Sequence, residues 1–155
     1  RFAALVPGDR PGRFVPQSDQ VLHQFGTDII PLTPTGHRDT VSVRLTGATT
    51  AKDAAWRFAL VSVRGEADAS YSHLGAVEGT GSATVSYRIP KDARLYLAVT
   101  ATPGVYESLG WQKPGSTEGA RFPYVVDISG ATPRLKGEVD CRMPQMTLKG
   151  PPPAC

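Results

Sequence analysis

Three histidines, His23, His37 and His73, are the side chains in this sequence with the greatest potential for catalysis or metal binding. A zinc site of the His-Glu-x-x-His type needs two histidines four positions apart on a helix, and no two of these are so spaced. The nucleophile motif Gly-x-Ser-x-Gly does not occur either. Residues 79–82 (GTGS) lack the lysine and the helix that a phosphate loop requires, so they are interpreted as a hairpin turn. The sequence predicts no catalytic site and no zinc or nucleotide cofactor in this chain.

Four aspartates, Asp39, Asp53, Asp68 and Asp92, fall in predicted turns. Aspartate is favoured there because its side chain bonds to nearby backbone groups. Carboxylate oxygens are also the ligands that calcium prefers, so a structural Ca²⁺ at one end of the domain is an alternative use of some of them.

Two aromatic residues, Tyr106 and Trp111, lie in a long polar connection that runs from residue 105 to residue 121. A tryptophan in such a loop either folds back as a plug or stays exposed, where it stacks on a sugar ring or inserts into a partner. Together with Tyr71 on a weakly predicted strand, these residues are the candidates for ligand binding.

The two cysteines, Cys141 and Cys155, flank a proline-rich tail with little regular structure to hold it. A disulfide that closes this short loop would stabilise the chain by about 3 kcal/mol in the chain-entropy model. Such a bond indicates an oxidising compartment, and hence a secreted protein. Two unpaired thiols are the alternative.

The elements that must position these residues are strands, since apolar and polar residues alternate with a period of two. Clear alternation covers residues 40–46, 56–64 and 83–89, a short strand is predicted at 28–32, a weaker one at 69–74 and the last one at 122–128. The apolar run at 94–101 is typical of a central strand covered on both faces. In the strand at 56–64, the neighbours Leu60 and Val61 indicate a bulge or a central position, and the expected inward residues are Trp56, Phe58 and Leu60, with Val61 and Val63 as further candidates.

About seven or eight short strands with turn signals between them predict an all-β fold, a β-sandwich of the jelly-roll or immunoglobulin-like kind. The expected organisation is an extended lead-in at 1–24, the sandwich at 25–133 and a proline-rich tail, closed by the disulfide, at 134–155. The net charge of +3 is spread along the chain, which argues against nucleic-acid binding. No apolar run approaches the roughly 20 residues needed to span a bilayer. Since the chain begins at Arg1 without a methionine, we expect a mature or excised piece of a longer protein.

Four segments, residues 25–32, 56–63, 95–103 and 122–126, resemble in order and spacing the C-terminal β-sandwich region of the Svx/AvrXca-like family. These are secreted bacterial virulence and avirulence proteins whose catalytic part looks like a gluzincin-type zinc metallopeptidase. The resemblance covers most of residues 14–133 and implies a non-catalytic accessory domain that supports the catalytic part of the same parent protein or positions its substrate. The metal-binding motif of that family, His-Glu-x-x-His with a further Glu, matches no position here, so no zinc ligand is transferred.

Two other functions remain open. The first is a carbohydrate- or cell-surface-binding module that uses Trp111, Tyr106 and Tyr71 to bind a glycan or a host cell-surface protein. The second is an enzyme that uses dispersed carboxylates on a jelly-roll face, for which the sequence offers no pair at a telling spacing.

Overall fold

The computed structural model describes residues 2–16, 22–23, 27–47, 54–64, 68–89, 93–103, 121–122 and 124–137. Within these ranges the chain is all-β, and its strands follow in chain order as β1 (Leu5–Pro7), β2 (Arg13–Pro16), β3 (Leu22–His23), β4 (Thr27–Pro34), β5 (Thr40–Gly47), β6 (Ala54–Arg64), β7 (Asp68–Glu78), β8 (Ser82–Arg88), β9 (Arg94–Pro103), β10 (Arg121–Phe122), β11 (Tyr124–Ser129) and β12 (Ala131–Pro133). None of the described residues forms a helix that is long and apolar enough to cross a membrane.

Ten of these strands form two five-stranded antiparallel sheets that pack face to face. Sheet I has the strand order β12-β4-β9-β6-β7, and sheet II has the order β1-β2-β11-β5-β8. The short strands β3 and β10 pair with each other. The predicted all-β sandwich is therefore confirmed.

The core lies between the two sheets and is built by alternate residues of each strand. In β5 the predicted inward residues Val41, Val43 and Leu45 are fully buried, whereas Arg44 between them is exposed. The largest fully buried side chains are Trp56, Tyr124, Phe58, Leu5, Ile30, Leu32, Leu45, Leu60, Leu95 and Leu97. One continuous apolar cluster thus joins the two inner faces, as expected for a sandwich.

Strand β6 is central, between β9 and β7, and a bulge interrupts its pairing with β7 between Ala59 and Leu60. The sequence predicted either a bulge or a central position for this strand from the neighbours Leu60 and Val61, and the structure has both. The expectation that Val61 and Val63 point inward was wrong, because these two residues lie on the outer face of sheet I, in a second apolar cluster.

Residues that the sequence assigned to the lead-in and to the start of the tail lie beside each other in sheet II. Strands β1 and β2 pair with each other, and β2 pairs with β11. The amide of Leu5 donates to the carbonyl of Arg134 at 2.9 Å, and the amide of Lys136 donates to the carbonyl of Leu5 at 3.0 Å. Leu5 itself is fully buried, so this edge is part of the sandwich core.

Candidate functional site

The outer faces of the two sheets differ in chemistry. On β5 and β8 of sheet II the outward residues are polar, among them Ser42, Arg44, Thr84 and Ser86, and Asp127 continues this polar surface on β11. On sheet I the outward residues are mostly apolar and form a second cluster outside the core: Ala59, Val61 and Tyr96, with Phe2, Ile29, Val63 and Ala98 packed against them. An outer face that meets water usually carries polar residues, so the apolar face of sheet I is the unusual surface of this domain.

The strand register defines the shape of this apolar face. Ala98 of β9 stands opposite Ile29 of β4 on one side and opposite Ala59 of β6 on the other, and Ala59 stands opposite Leu74 of β7. The two small alanines lie between two larger aliphatic residues and form the floor of a trough. The neighbouring cross-strand pair, Tyr96 and Val61, borders the floor. The trough encloses about 500 Å³.

Leu74 is the large hydrophobic side chain that is conspicuously exposed among the described residues, at 77%. It lies on β7, the edge strand of sheet I, at the open end of the alanine floor. A single exposed leucine is ordinary, but one that extends an apolar cluster indicates an interaction surface.

The opposite border of the trough is aromatic. Phe2 contacts Tyr96 in an edge-to-face arrangement, with ring centroids 6.1 Å apart and an angle of 62° between the planes. The backbone holds Phe2 in place, because Phe2 forms a parallel bridge with Ile29 and the amide of Ala3 donates to the carbonyl of Ile29 at 2.9 Å.

Polar residues mark the two ends of the trough. At one end Arg57 stands opposite Thr100, whose hydroxyl lies 2.9 Å from that of Thr27. At the other end Arg94 stands opposite Val63. Arg57 and Val63 are six positions apart on β6, so the two ends are separated by about 20 Å at the usual rise of a strand. The described residues that line the trough include these two arginines and no carboxylate.

Most of the site residues predicted from the sequence lie elsewhere. Tyr106, Trp111, Cys141 and Cys155 fall outside the described residues, so the aromatic-loop and disulfide hypotheses stay predictions. Tyr71 is described in its backbone only and pairs with Val61, a residue of the apolar face.

The three histidines lie on different elements of the fold. His23 is in β3, His37 follows β4 in an exposed turn, and His73 is in β7. Among the described residues no three His, Cys, Asp or Glu side chains lie close enough to hold a metal ion.

Two of the four aspartates that the sequence assigned to turns lie in the described part of the chain. Asp39 is exposed just before β5, and Asp53 and Asp92 fall outside the described residues. Asp68 begins strand β7, so its assignment to a turn was wrong. The predicted structural Ca²⁺ stays a prediction.

The sequence contained a partial signal for the apolar face. The continuous apolar run of β9 predicted cover on both faces, and Tyr96 and Ala98 are the outward residues of that run. Leu74 gave no such signal, because its strand alternates weakly and the other residues of its row across the sheet, Ala59, Ala98 and Ile29, are distant in sequence.

Two packed antiparallel sheets define a β-sandwich domain, and one of its outer faces is apolar. The chain belongs to DUF6055, a family of unknown function whose model matches residues 6–135. That range runs from β1 to Leu135, the residue that bridges to Leu5. No curated protein and no solved structure matches the chain. The likeness to the Svx/AvrXca-like family stays a prediction.

Proposed function

We propose that this chain is a non-catalytic accessory domain of a larger secreted protein, and that the trough on sheet I seats another folded domain of the same gene product. The observation that carries the proposal is the continuity of apolar side chains from Phe2 across the sheet to the 77% exposed Leu74. The catalytic part of a metallopeptidase, which the Svx/AvrXca-like resemblance implies, is the partner we expect.

The chemistry of the trough favours a protein surface over a glycan. Sugar rings carry many hydroxyl groups, so a glycan site needs a matching set of hydrogen-bonding side chains. Here the floor is aliphatic, and the two aromatic rings of the border, Phe2 and Tyr96, pack edge to face against each other. Burial of one exposed leucine side chain contributes about 1.5–3 kcal/mol, so a partner that covers Leu74 gains from the hydrophobic effect alone.

The two arginines at the ends of the trough indicate what kind of protein surface would cover it. Arg57 and Arg94 lie about 20 Å apart along the strand direction, with the apolar floor between them. Interfaces commonly pair an apolar centre with a polar rim. We therefore expect the covering domain to present apolar side chains between two polar ends.

Photo-crosslinking in the intact gene product tests this proposal. The residue p-benzoylphenylalanine is placed at position 74 in the whole protein, the sample is irradiated, and crosslinked peptides are identified by mass spectrometry. We expect crosslinks from position 74 to a segment of the same polypeptide outside these 155 residues. The same group at Ser86, exposed on sheet II, is the matched control and should give no crosslink to that segment.

Every other result of the crosslinking experiment contradicts the proposal. Crosslinks confined to this 155-residue sequence, or to a second copy of it, would show that the trough is covered by the domain itself or by its own dimer. Crosslinks to a separate protein, or none at all, would remove the case for an accessory domain. A parallel variant, Leu74→Glu, checks the energetics: it should raise the proteolytic susceptibility of the whole protein without unfolding the sandwich.

A further inference from the structure

A row of charged and hydroxyl side chains crosses the outer face of sheet II. Asp127 of β11 stands opposite Arg13 of β2 on one side and opposite Arg44 of β5 on the other. Arg44 in turn stands opposite Thr84 of β8. Since neighbouring strands are about 4.8 Å apart, the two arginine backbones are separated by about 10 Å.

Asp127 fixes two of the arginines near this row. Its Oδ1 accepts from Arg13 Nε at 2.9 Å and its Oδ2 accepts from Arg13 Nη2 at 3.3 Å, a bidentate pair. Arg10 Nη2 donates to the same Oδ1 at 3.3 Å. The hydrogen bonds from Arg13 hold the pKa of the Asp127 carboxyl below its ordinary value, so the carboxylate stays ionised and keeps both guanidiniums in place.

Hydroxyl groups line the next row of the same face. Ser42 of β5 stands opposite Ser129 of β11 and opposite Ser86 of β8, and the Ser86 hydroxyl donates to that of Ser42 at 3.1 Å. Arg44 Nη2 donates to the Ser82 hydroxyl at 3.1 Å, which orients its guanidinium along the sheet. Beside these rows, the turn at residues 10–12 forms one wall of a shallow groove of about 430 Å³.

We propose that this groove binds an anionic saccharide, with the guanidiniums of Arg10 and Arg44 paired to its carboxylate or sulfate groups and the serine and threonine hydroxyls bonded to its ring hydroxyls. Two arginines face a single carboxylate in the groove lining, which leaves an excess of positive charge. Because Asp127 already orders Arg10 and Arg13, a ligand meets guanidiniums that lose little further freedom.

The lining of the groove argues against the other common polyanions. Single-stranded nucleic acid is held by aromatic stacking, and the described residues that line the groove include no aromatic side chain. An anionic membrane surface is usually met by apolar side chains beside the cations, whereas the outward residues here are hydroxyls. A saccharide matches both the charge and the hydroxyl content. This site lies on the sheet opposite the apolar trough, so it is independent of the function proposed above.

Titration of the full 155-residue chain with three oligosaccharides tests the proposal. An oligogalacturonate carries carboxylates, a heparin-derived oligosaccharide carries sulfates, and a neutral cello-oligosaccharide carries neither. We expect one or both anionic ligands to bind in calorimetry, with affinity that falls as salt is raised, and the neutral ligand not to bind. Which anionic ligand binds identifies the source of the charge.

Two variants locate the binding. Arg44→Gln should weaken anionic binding by about tenfold or more, since a charge-assisted pair is lost. Thr84→Asp, which keeps all the arginines and adds a carboxylate to the groove, should weaken it as well. Arg64→Gln is the matched control: it removes an exposed arginine at the end of β6 in sheet I and should leave the affinity unchanged.

The proposal is overturned by any of three results. The neutral ligand could bind as well as the anionic ones, no ligand could bind, or the affinity could respond equally to Arg44→Gln and Arg64→Gln. Thermal unfolding of each variant shows that it is folded, and this is expected because both arginines are exposed. The crosslinking from position 74 concerns the other sheet, so either proposal can fail without the other.

Discussion

Tyr124 of sheet II donates a hydrogen bond from its hydroxyl to Oδ2 of Asp28 in sheet I, at 3.2 Å, across the interior of the sandwich. Both residues are 1% exposed. A second bond joins the sheets where the Tyr87 hydroxyl lies 3.2 Å from that of Ser62. Apolar contacts have no direction, whereas these bonds fix one alignment of the sheets, so they help to define the register of the two inner faces.

We expect Tyr124→Phe to lower the free energy of unfolding by about 1–3 kcal/mol, because the buried carboxyl of Asp28 loses a donor while the ring volume is kept. Urea denaturation at neutral pH measures the change. Tyr87→Phe is the comparison: its partner Ser62 bears no charge, so the loss should be nearer 0.5–1.5 kcal/mol. Equal losses of unfolding free energy in the two variants would show that the bond to Asp28 contributes no more to stability than the bond to Ser62.

Gly130 turns the chain from β11 in sheet II to β12 in sheet I, with a φ of 84°. A Cβ at this position would collide with the backbone carbonyl of Thr40, which cannot move without disturbing β5. We therefore expect Gly130→Ala to destabilise the domain by more than about 2 kcal/mol, from left-handed strain together with the clash. Gly36 has a similar φ of 82° and open space around it, so Gly36→Ala isolates the strain and should cost about 1–2 kcal/mol. Chemical denaturation of both variants separates the two contributions, and a cost at Gly130 no larger than at Gly36 would exclude the clash.

The longer strands could be predicted from the sequence because the pattern of apolar and polar residues within each strand is sufficient to identify it. Strands β5 and β8 alternate apolar and polar residues, and β9 is a nearly continuous apolar run. In a half-buried or central strand the burial pattern is a local property, so a window of eight residues is enough to detect it.

The remaining features depend on contacts between distant residues. Strands β1 and β2 have three and four residues, too few for a period to be read, and β1 is held partly by the backbone near Arg134. The bond between Tyr124 and Asp28 spans 96 positions. The apolar trough unites Ile29, Ala98 and Leu74 from three strands, and the strand order that brings them together is not encoded in any one segment.

The pair between Arg13 and Asp127 predicts a pH dependence of stability. Hydrogen bonds from Arg13 lower the pKa of Asp127 below its ordinary value of 3.8 in the folded state. The unfolded state therefore binds the proton more readily, so this pair stabilises the fold above pH 3.8 and the contribution is lost as the pH falls through the lower, folded-state pKa. We expect Asp127→Asn to be less stable than the natural chain at pH 7, by a difference that shrinks as the pH falls below 3.8. Urea denaturation at a series of pH values from 7 downwards tests this, and a difference that does not change with pH would assign the effect to packing.

Because Leu74 is exposed, a substitution at this position should change binding at the trough without changing the stability of the domain. Leu74→Ser should change the free energy of unfolding by less than about 0.5 kcal/mol, because the side chain is 77% exposed. The same change should reduce the fluorescence of a bound hydrophobic dye such as anilinonaphthalene sulfonate, since one side of the trough loses its apolar border. Thr132→Ser on β12, which lines neither the trough nor the groove of sheet II, is the control and should leave dye binding unchanged. A Leu74→Ser variant that unfolds would show that β7 depends on this side chain for its packing.

The neighbours Leu60 and Val61 have the same apolar character in sequence and opposite surroundings in the fold. Leu60 is fully buried between the sheets, and Val61 is 8% exposed on the outer face beside Tyr96. Leu60→Ala should therefore cost about 2–5 kcal/mol through lost burial and a cavity in the core. Val61→Thr keeps the shape and the β-branch and leaves no cavity, but it adds a hydroxyl to a side chain that is only 8% exposed, so we expect a smaller loss of about 1–3 kcal/mol. Urea denaturation of both variants gives the comparison, and a loss below about 0.5 kcal/mol in Val61→Thr would mean that its hydroxyl reaches water from the outer face. In the intact gene product we expect the cost of Val61→Thr to rise towards that of a core substitution, because the proposed partner domain would exclude water from the trough.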